Sequence, residues 1–288
     1  MNLLEAILLG VVQGATEFLP ISSSGHLKLG QHLLGIQEPQ LLFDIVLHVG
    51  TLLSVMLFYR ADILMVLTGS VEGAKGWLKE RTASAFFQPE GVRLATLVVL
   101  ATIPTGVIGL GLGKLLDPDA GDSIITPRVV CGLLILNGFI LLLNAYFMKR
   151  EQEGDAPERG GMLTLWEITP LIAIGIGVAQ GMAVLPGLSR SGLTITIALA
   201  LMVQRLHAAR YSFLLSIPAI LGALVLKLDP ALFAGDPNTL LIFGAGALSA
   251  GVVGYGCLIL LTRMLEKAAF HHFAWYCWAV GIIGLVML

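Results

Sequence analysis

Long apolar stretches constrain the fold of this chain more than any other feature. Six of them are about 20 residues long, which is the length an α-helix needs to cross a hydrocarbon core of about 30 Å. Only 12% of the 288 residues are charged, about half the share found in ordinary soluble domains. The sequence therefore predicts an all-α polytopic membrane protein with six transmembrane helices, near residues 40–59, 93–112, 128–148, 208–228, 239–261 and 269–288.

Two further apolar regions, residues 1–36 and 165–206, are each interrupted by a polar segment. The first is broken at Pro20 and the following "ISSSG", and the second at Pro186 and the following "LSRSG". Backbone that leaves a helix at membrane depth must be buried in protein or line a water-filled cavity. We therefore interpret each region as a re-entrant helical hairpin, with a single kinked span as the alternative.

The two broken regions are also similar to each other in sequence. A shift of 167 residues superimposes them without a gap and matches polar positions, which chance rarely does in apolar sequence. The matched pairs are Gln13 with Gln180, Ser22 with Ser189, Ser24 with Ser191 and Gly25 with Gly192. We accordingly divide the chain into a first repeat (1–148), a cytoplasmic linker loop (149–164) and a second repeat (165–288), all within one membrane domain.

Basic residues predict how the repeats are oriented. If the span at 40–59 runs from outside to inside, twelve Lys and Arg residues lie on or near the inner face and three outside. Such an excess is typical of cytoplasmic loops. Both termini are then extracytoplasmic, and the two hairpins enter from opposite sides. Inverted-topology repeats with broken helices place their sites near the membrane midplane, so we expect the two breaks to face each other.

The first break carries a dense group of polar side chains. Glu17 is a carboxylate at membrane depth, where the default interpretation is a functional group; the alternative is a charge held by backbone donors near the interface. Gln13 lies one helical turn earlier on the same face. Carboxylate and amide oxygens suit a hard cation such as Mg²⁺ or Ca²⁺. Two ligands alone make Gln13 and Glu17 a weakly specified metal site.

A predicted helix farther along the chain is preceded by Ser22, Ser23, Ser24 and Gly25. One serine is accounted for as an N-cap, and free N–H groups at a helix N-terminus also bind anions. His26 follows within the first turn. A lone histidine in an apolar region is usually a satisfied core group, but its neighbours here favour a catalytic role.

The second break contains an arginine, Arg190. A guanidinium at membrane depth needs an anion, and its fork geometry matches phosphate oxygens. The hydroxyls of Ser189, Ser191 and Thr194 are further candidate donors, and Gly187 permits close approach of the backbone. The alternative is an internal Arg190–Glu17 ion pair, which is compatible with phosphate binding if phosphate displaces it.

Together the breaks offer a carboxylate, hydroxyls, an imidazole and a guanidinium, a set that suits phosphoryl transfer. Because the surroundings are lipid, the expected substrate is a phosphate or diphosphate on a hydrophobic anchor. The net charge of −2 gives no indication of a nucleic-acid partner.

Two motifs carry a family resemblance. "QGATEFLPISSSGH" and "PGLSRSGLT" closely resemble the signatures of the undecaprenyl-diphosphate phosphatases, and "FDIVLHVGTLLSV" and "YSFLLSIPAILGA" are similar to other segments of that family. The resemblance implies a bacterial plasma-membrane hydrolase that regenerates undecaprenyl phosphate for peptidoglycan and other wall polymers. It also implies divalent-cation dependence, an active site open to the extracytoplasmic side and a link to bacitracin resistance. The oligomeric state is not fixed, and a homodimer stays open.

The predicted mechanism assigns cation binding to Glu17 with Gln13, and binding of the diphosphate to Arg190 with Ser189 and Ser191. The further predicted substrate-binding residues are Ser22, Ser24, Gly25, Gly187 and Thr194. Ser23 or His26 attacks the terminal phosphorus, and we favour Ser23 with His26 as its base. A lipid-phosphate flippase, a non-catalytic lipid-binding scaffold and another lipid phosphatase superfamily are the alternatives. That superfamily requires a histidine shortly after the arginine, whereas the next one here is His207.

Overall fold

The computed structural model describes residues 1–36, 41–115, 126–152, 162–227 and 237–287. Regular structure in this part of the chain is helical, apart from one isolated bridge between Leu163 and Val203, so the predicted all-α class is confirmed. The helices are α1 (Leu3–Phe18), α2 (Ser23–Leu33), α3 (Leu41–Phe58), α4 (Arg60–Glu80), α5 (Ala83–Phe87), α6 (Glu90–Leu115), α7 (Pro127–Gln152), α8 (Pro170–Met182), α9 (Arg190–Ala200), α10 (Arg205–Lys227), α11 (Pro237–Glu266) and α12 (Phe273–Met287).

Within the described residues, five helical segments are long and apolar enough to cross a membrane: Glu90–Lys114, Pro127–Phe147, Arg205–Leu226, Asn238–Glu266 and Phe270–Met287. A sixth candidate combines α3 with α4, which are bent by 75° at the break between them. Helices thus occupy all six places where spans were predicted. Most of the predicted linker loop, residues 153–161, lies outside the described residues, as do residues 40, 228 and 288 at the ends of three predicted spans.

Each polar break separates two short helices. The first lies between α1 and α2, and the second between α8 and α9. At a rise of 1.5 Å per residue, the 16 residues of α1 extend about 24 Å and the 13 residues of α8 about 20 Å. Neither helix alone is as long as a hydrocarbon core of about 30 Å is thick.

The two halves of the chain pack crosswise. Helix α1 packs against α11, and α8 packs against α6. Both contacts depend on a glycine, because a Cβ at Gly10 would lie 1.9 Å from Ser249 Oγ and a Cβ at Gly177 would lie 2.1 Å from the Ala101 carbonyl oxygen. These two glycines are equivalent under the 167-residue shift. The first helix of each broken pair is therefore held against a helix of the other half.

Candidate active site

Glu17, in the last turn of α1, is the centre of the candidate site and is 7% exposed. Its Oε1 accepts a hydrogen bond from Arg190 Nη2 at 2.5 Å. Its Oε2 accepts from Ser23 Oγ at 2.5 Å and from Gln13 Nε2 at 3.0 Å. The prediction that the two breaks face each other is confirmed by these contacts. The internal Arg190–Glu17 ion pair, considered above as an alternative, is present as well.

Ser22 links the two breaks through its side chain. Its Oγ accepts from the backbone N–H of Gly25 at 3.4 Å, which caps α2, and from the N–H of Gly187 at 3.0 Å. The φ angle of Ser22 is 68°, a conformation that non-glycine residues rarely adopt and that is often found at functional sites. The equivalent Ser189 caps α9 in the same way but with a φ of −84°. Of these two equivalent serines, Ser22 is strained and Ser189 is not, and Ser22 lies in the break next to Glu17.

Arg190 is the first residue of α9 and has one free arm. While Nη2 binds Glu17, Nη1 is buried and makes no hydrogen bond to the described residues. A buried cationic donor without a partner is costly. The free Nη1 is therefore available to bind an anion. A guanidinium pairs with phosphate oxygens through two parallel N–H donors.

The other hydroxyls of the second break are directed to protein partners. Ser189 Oγ accepts from Gly192 N at 3.1 Å and lies 3.1 Å from Ser191 Oγ, which donates to the Phe18 carbonyl at 3.1 Å. Thr194 Oγ1 donates to the Arg190 carbonyl at 2.7 Å. These contacts hold Arg190 in place, so direct substrate contacts of Ser189, Ser191 and Thr194 stay a prediction.

In the first break, Ser24 and Gly25 lie against Ser22 and Gly187. Ser24 Oγ is 3.4 Å from Ser22 Oγ, which repeats the contact between Ser189 and Ser191. A Cβ at Gly25 would lie 3.3 Å from Gly187 Cα, so the two breaks touch at their glycines. Substrate contacts of Ser24, Gly25 and Gly187 likewise stay a prediction.

His26 has other partners than the expected serine. Its Nδ1 lies 2.8 Å from the Ser22 carbonyl oxygen and its Nε2 lies 2.9 Å from the Tyr276 hydroxyl. Ser23 instead donates to Glu17. The structure thus favours Glu17, rather than His26, as the base for Ser23, because the imidazole is turned towards α12.

Two residues near the site were missed by sequence reasoning. His48 on α3 lies with Nε2 3.5 Å from Glu17 Oε2. Asn137 on α7 is fully buried, donates from Nδ2 to the Pro20 carbonyl at 2.8 Å and accepts at Oδ1 from the Ser189 N–H at 3.0 Å. Both were visible as isolated polar residues inside predicted spans, and polar side chains there commonly bond across helices.

We expect Asn137→Leu to lower both thermal stability and phosphatase activity. The change leaves the Ser189 N–H without the Asn137 oxygen, and the Pro20 carbonyl keeps only a weak contact with Cys277 Sγ at 3.8 Å. An unsatisfied buried group costs about 1–3 kcal/mol. The control is Asn144→Leu on the same helix, since Asn144 is equally buried but bonds to Thr196. Thermal unfolding in detergent and kcat/KM should show both variants destabilised and only Asn137→Leu impaired beyond its stability loss. Equal catalytic effects would contradict a linking role.

A divalent cation fits the site only if the substrate supplies ligands. The described residues contain no group of three or more His, Cys, Asp or Glu side chains that could hold a metal ion. Gln13 Oε1, however, is buried without a hydrogen-bond partner beside the Glu17 carboxylate. Mg²⁺ is commonly bound by one or two carboxylates together with substrate phosphates and water, and Glu17 with Gln13 fits that pattern.

Comparison with known proteins gives one consistent result. The model of the family described as "Bacitracin resistance protein BacA" matches residues 6–283. A protein of Desulfatibacillum aliphaticivorans named undecaprenyl-diphosphatase is 41% identical over 288 residues, covering 99% of both chains. Proteins with the same name from Desulfosudis oleivorans and Methanobrevibacter smithii are 40% and 37% identical, and each alignment covers at least 96% of either chain.

Proposed function

The chain belongs to the family of bacitracin resistance protein BacA, and from this premise we propose that its two polar breaks form the active site of an undecaprenyl-diphosphate phosphatase. It hydrolyses undecaprenyl diphosphate to undecaprenyl phosphate and inorganic phosphate, and so recycles the lipid carrier for peptidoglycan and other wall polymers. Relatives that are 36–41% identical along their whole length bear the name of this activity. The observation that carries the proposal is the buried Glu17 carboxylate, which joins Ser23 to Arg190.

Substrate binding depends on Arg190. The diphosphate enters between the N-termini of α2 and α9, because the N-terminus of a helix favours anions. The free Nη1 of Arg190 binds a phosphate oxygen, and Nη2 is shared between the phosphate and Glu17. This neutralises charge on the terminal phosphoryl group, which is the main requirement for its transfer.

Ser23 is the nucleophile in this mechanism. Its hydroxyl already donates to Glu17 Oε2 at 2.5 Å, so the carboxylate takes the proton as Ser23 Oγ bonds to the terminal phosphorus. The bond from that phosphorus to the bridging oxygen breaks, and undecaprenyl phosphate leaves with the electron pair. Water then attacks the phosphoserine and gives its proton to His26 Nε2, while Glu17 returns its proton to Ser23 Oγ as the bond from that oxygen to phosphorus breaks and inorganic phosphate leaves.

A bound divalent cation supplies charge neutralisation at the phosphates. Glu17 and Gln13 Oε1 are the residues that would hold it. On α3, His48 Nε2 lies 3.5 Å from Glu17 Oε2 and holds the carboxylate in position.

We expect chelation to reduce phosphate release more than about tenfold, with recovery on adding back Mg²⁺ or Ca²⁺. Gln13→Glu adds a second carboxylate beside Glu17 and should lower the cation concentration that gives half-maximal activity. The control is Gln180→Glu, because Gln180 occupies the equivalent position but donates to the Leu215 carbonyl. The assay is phosphate release titrated with cation. Full activity in excess chelator would contradict the cation requirement.

The proposed membrane arrangement has six spans and two re-entrant hairpins in an inverted-topology repeat. Equivalent contacts in the two halves support it: Ser22 and Ser189 cap their helices alike, and Gly10 and Gly177 meet their partner helices alike. The positive-inside bias supports extracytoplasmic termini and one integrated domain with a cytoplasmic linker. The site is placed in the bacterial plasma membrane, open to the extracytoplasmic side, and a homodimer stays open.

The proposal is tested by incubating purified protein with undecaprenyl diphosphate in detergent and measuring inorganic phosphate. A phosphatase releases one phosphate per lipid molecule. A polyprenyl-phosphate flippase with the same anion site releases none, because it leaves the substrate intact. The hydrogen bond between Ser23 and Glu17 favours the phosphatase, because transport alone does not require a nucleophile.

A further inference from the structure

We infer that Tyr276 of α12 is a positioning residue that fixes the ring orientation of His26 by bonding to its Nε2; this rests on the proposed function. The two residues are 250 positions apart in the chain, yet the Tyr276 hydroxyl lies 2.9 Å from His26 Nε2. Their rings also stack, with centroids 5.6 Å apart and planes at 13°. Neither motif that carries the family resemblance includes Tyr276.

The hydrogen-bond partners determine which nitrogen of His26 carries the proton. A backbone carbonyl can only accept, so the contact with the Ser22 oxygen at 2.8 Å requires a proton on Nδ1. In the neutral ring Nε2 then has a lone pair, which accepts a hydrogen bond from the Tyr276 hydroxyl. The Ser22 carbonyl thus sets the tautomer in which Nε2 is the basic nitrogen, and Tyr276 holds that nitrogen in place.

The position of Tyr276 is itself fixed at the first break. The next residue, Cys277, is fully buried and lies 3.3 Å from Asn137 Nδ2, which also donates to the Pro20 carbonyl. These contacts fix α12 next to Pro20, which lies two residues before Ser22. The tyrosine hydroxyl faces Nε2 as a consequence of this packing.

This arrangement leaves Nε2 available for proton transfer. The side chain of Tyr276 is 43% exposed, so water or a phosphate oxygen can replace its hydroxyl at Nε2 during turnover. Without the hydroxyl, the imidazole keeps its bond to the Ser22 carbonyl but loses the partner that holds Nε2 towards α12. The ring would then occupy more than one orientation, and the chemical step would slow without a loss of substrate binding.

The test compares Tyr276→Phe, which keeps the ring and its stacking, with the matched change Tyr255→Phe on α11, whose ring contacts Phe58. We expect Tyr276→Phe to lower kcat about tenfold with KM within about twofold, and Tyr255→Phe to be unchanged. In a His26→Ala background, Tyr276→Phe should have no further effect, because its role acts through the imidazole. Wild-type kcat in Tyr276→Phe, or the same tenfold loss in the His26→Ala background, would overturn the inference.

A readout independent of activity separates this inference from the proposed function. Nitrogen NMR of histidine-labelled protein in detergent, with the His26 signals assigned through His26→Ala, reports the hydrogen bonding of each ring nitrogen directly. Wild type should show a protonated Nδ1 and an Nε2 that accepts a hydrogen bond, and Tyr276→Phe should keep the protonated Nδ1 but show a shifted Nε2 signal without that bond. Identical His26 signals in both proteins would contradict the inference, even if phosphate release is normal. If wild type releases no phosphate, the proposed function fails while this measurement still tests the contact.

Discussion

Replacing Ser23 by alanine should reduce phosphate release about 10³-fold or more, the size of loss seen when a nucleophile is removed from a group that acts as a unit. The hydroxyl is the attacking group in the mechanism, and its hydrogen bond to Glu17 at 2.5 Å is the contact that activates it. The residual rate would come from direct attack of water, which does not use the geometry that aligns Ser23 with Arg190. We expect KM to change little, because the anion-binding groups are intact.

The measurement is kcat of purified Ser23→Ala beside Ser70→Ala. Ser70 is also partly buried but donates to the Val66 carbonyl within α4, so its loss should leave kcat unchanged. Rapid acid quench of wild type should trap phosphate on the peptide that contains Ser23. Near-normal phosphate release by Ser23→Ala would rule out the serine nucleophile and leave His26 as the candidate.

Replacing Arg190 by lysine should lower kcat/KM about 10²–10³-fold, as expected for removal of a donor that stabilises developing charge. Lysine retains the positive charge beside Glu17, so the buried carboxylate keeps a cationic neighbour. It cannot provide the two-armed donor that contacts Glu17 and phosphate together. The expected loss therefore reports geometry rather than charge.

The matched control for Arg190→Lys is Arg210→Lys. Arg210 also forms an ion pair between distant elements, since its Nε donates to Asp62 Oδ1 at 2.8 Å, but it belongs to α10 and not to either break. Its kcat/KM should stay within a few fold of wild type. Equal losses in the two variants, measured as phosphate release over a range of lipid concentrations, would show that Arg190 acts only through the fold.

The sequence predicted the helices and the pairing of the breaks because those features repeat. Apolar length marks spans by itself, and the 167-residue shift matches Ser22 with Ser189 without knowledge of the fold. The Arg190–Glu17 ion pair could also be anticipated, because charged side chains within membrane segments usually pair with one another. These inferences need only local composition and one internal comparison.

The hydrogen-bond partners of Ser23, His26 and His48 could not be predicted from the sequence. That Ser23 donates to Glu17 while His26 turns to Tyr276 depends on the strained φ of Ser22 and on where α12 packs. Neither is encoded in a local pattern. His48 contacts Glu17 from a helix whose rotation a periodicity argument does not fix. Such contacts arise between distant helices and require the packed structure.

The central claim is that the two breaks form a single catalytic site, and one measurement tests it most directly. Inorganic phosphate release from undecaprenyl diphosphate should be measured for wild type, Ser23→Ala, Arg190→Lys and the double variant. Residues that act as a unit have non-additive effects, so the double variant should lose little more activity than Ser23→Ala alone. Multiplied losses in the double variant, or a near-normal rate in either single variant, would contradict the claim.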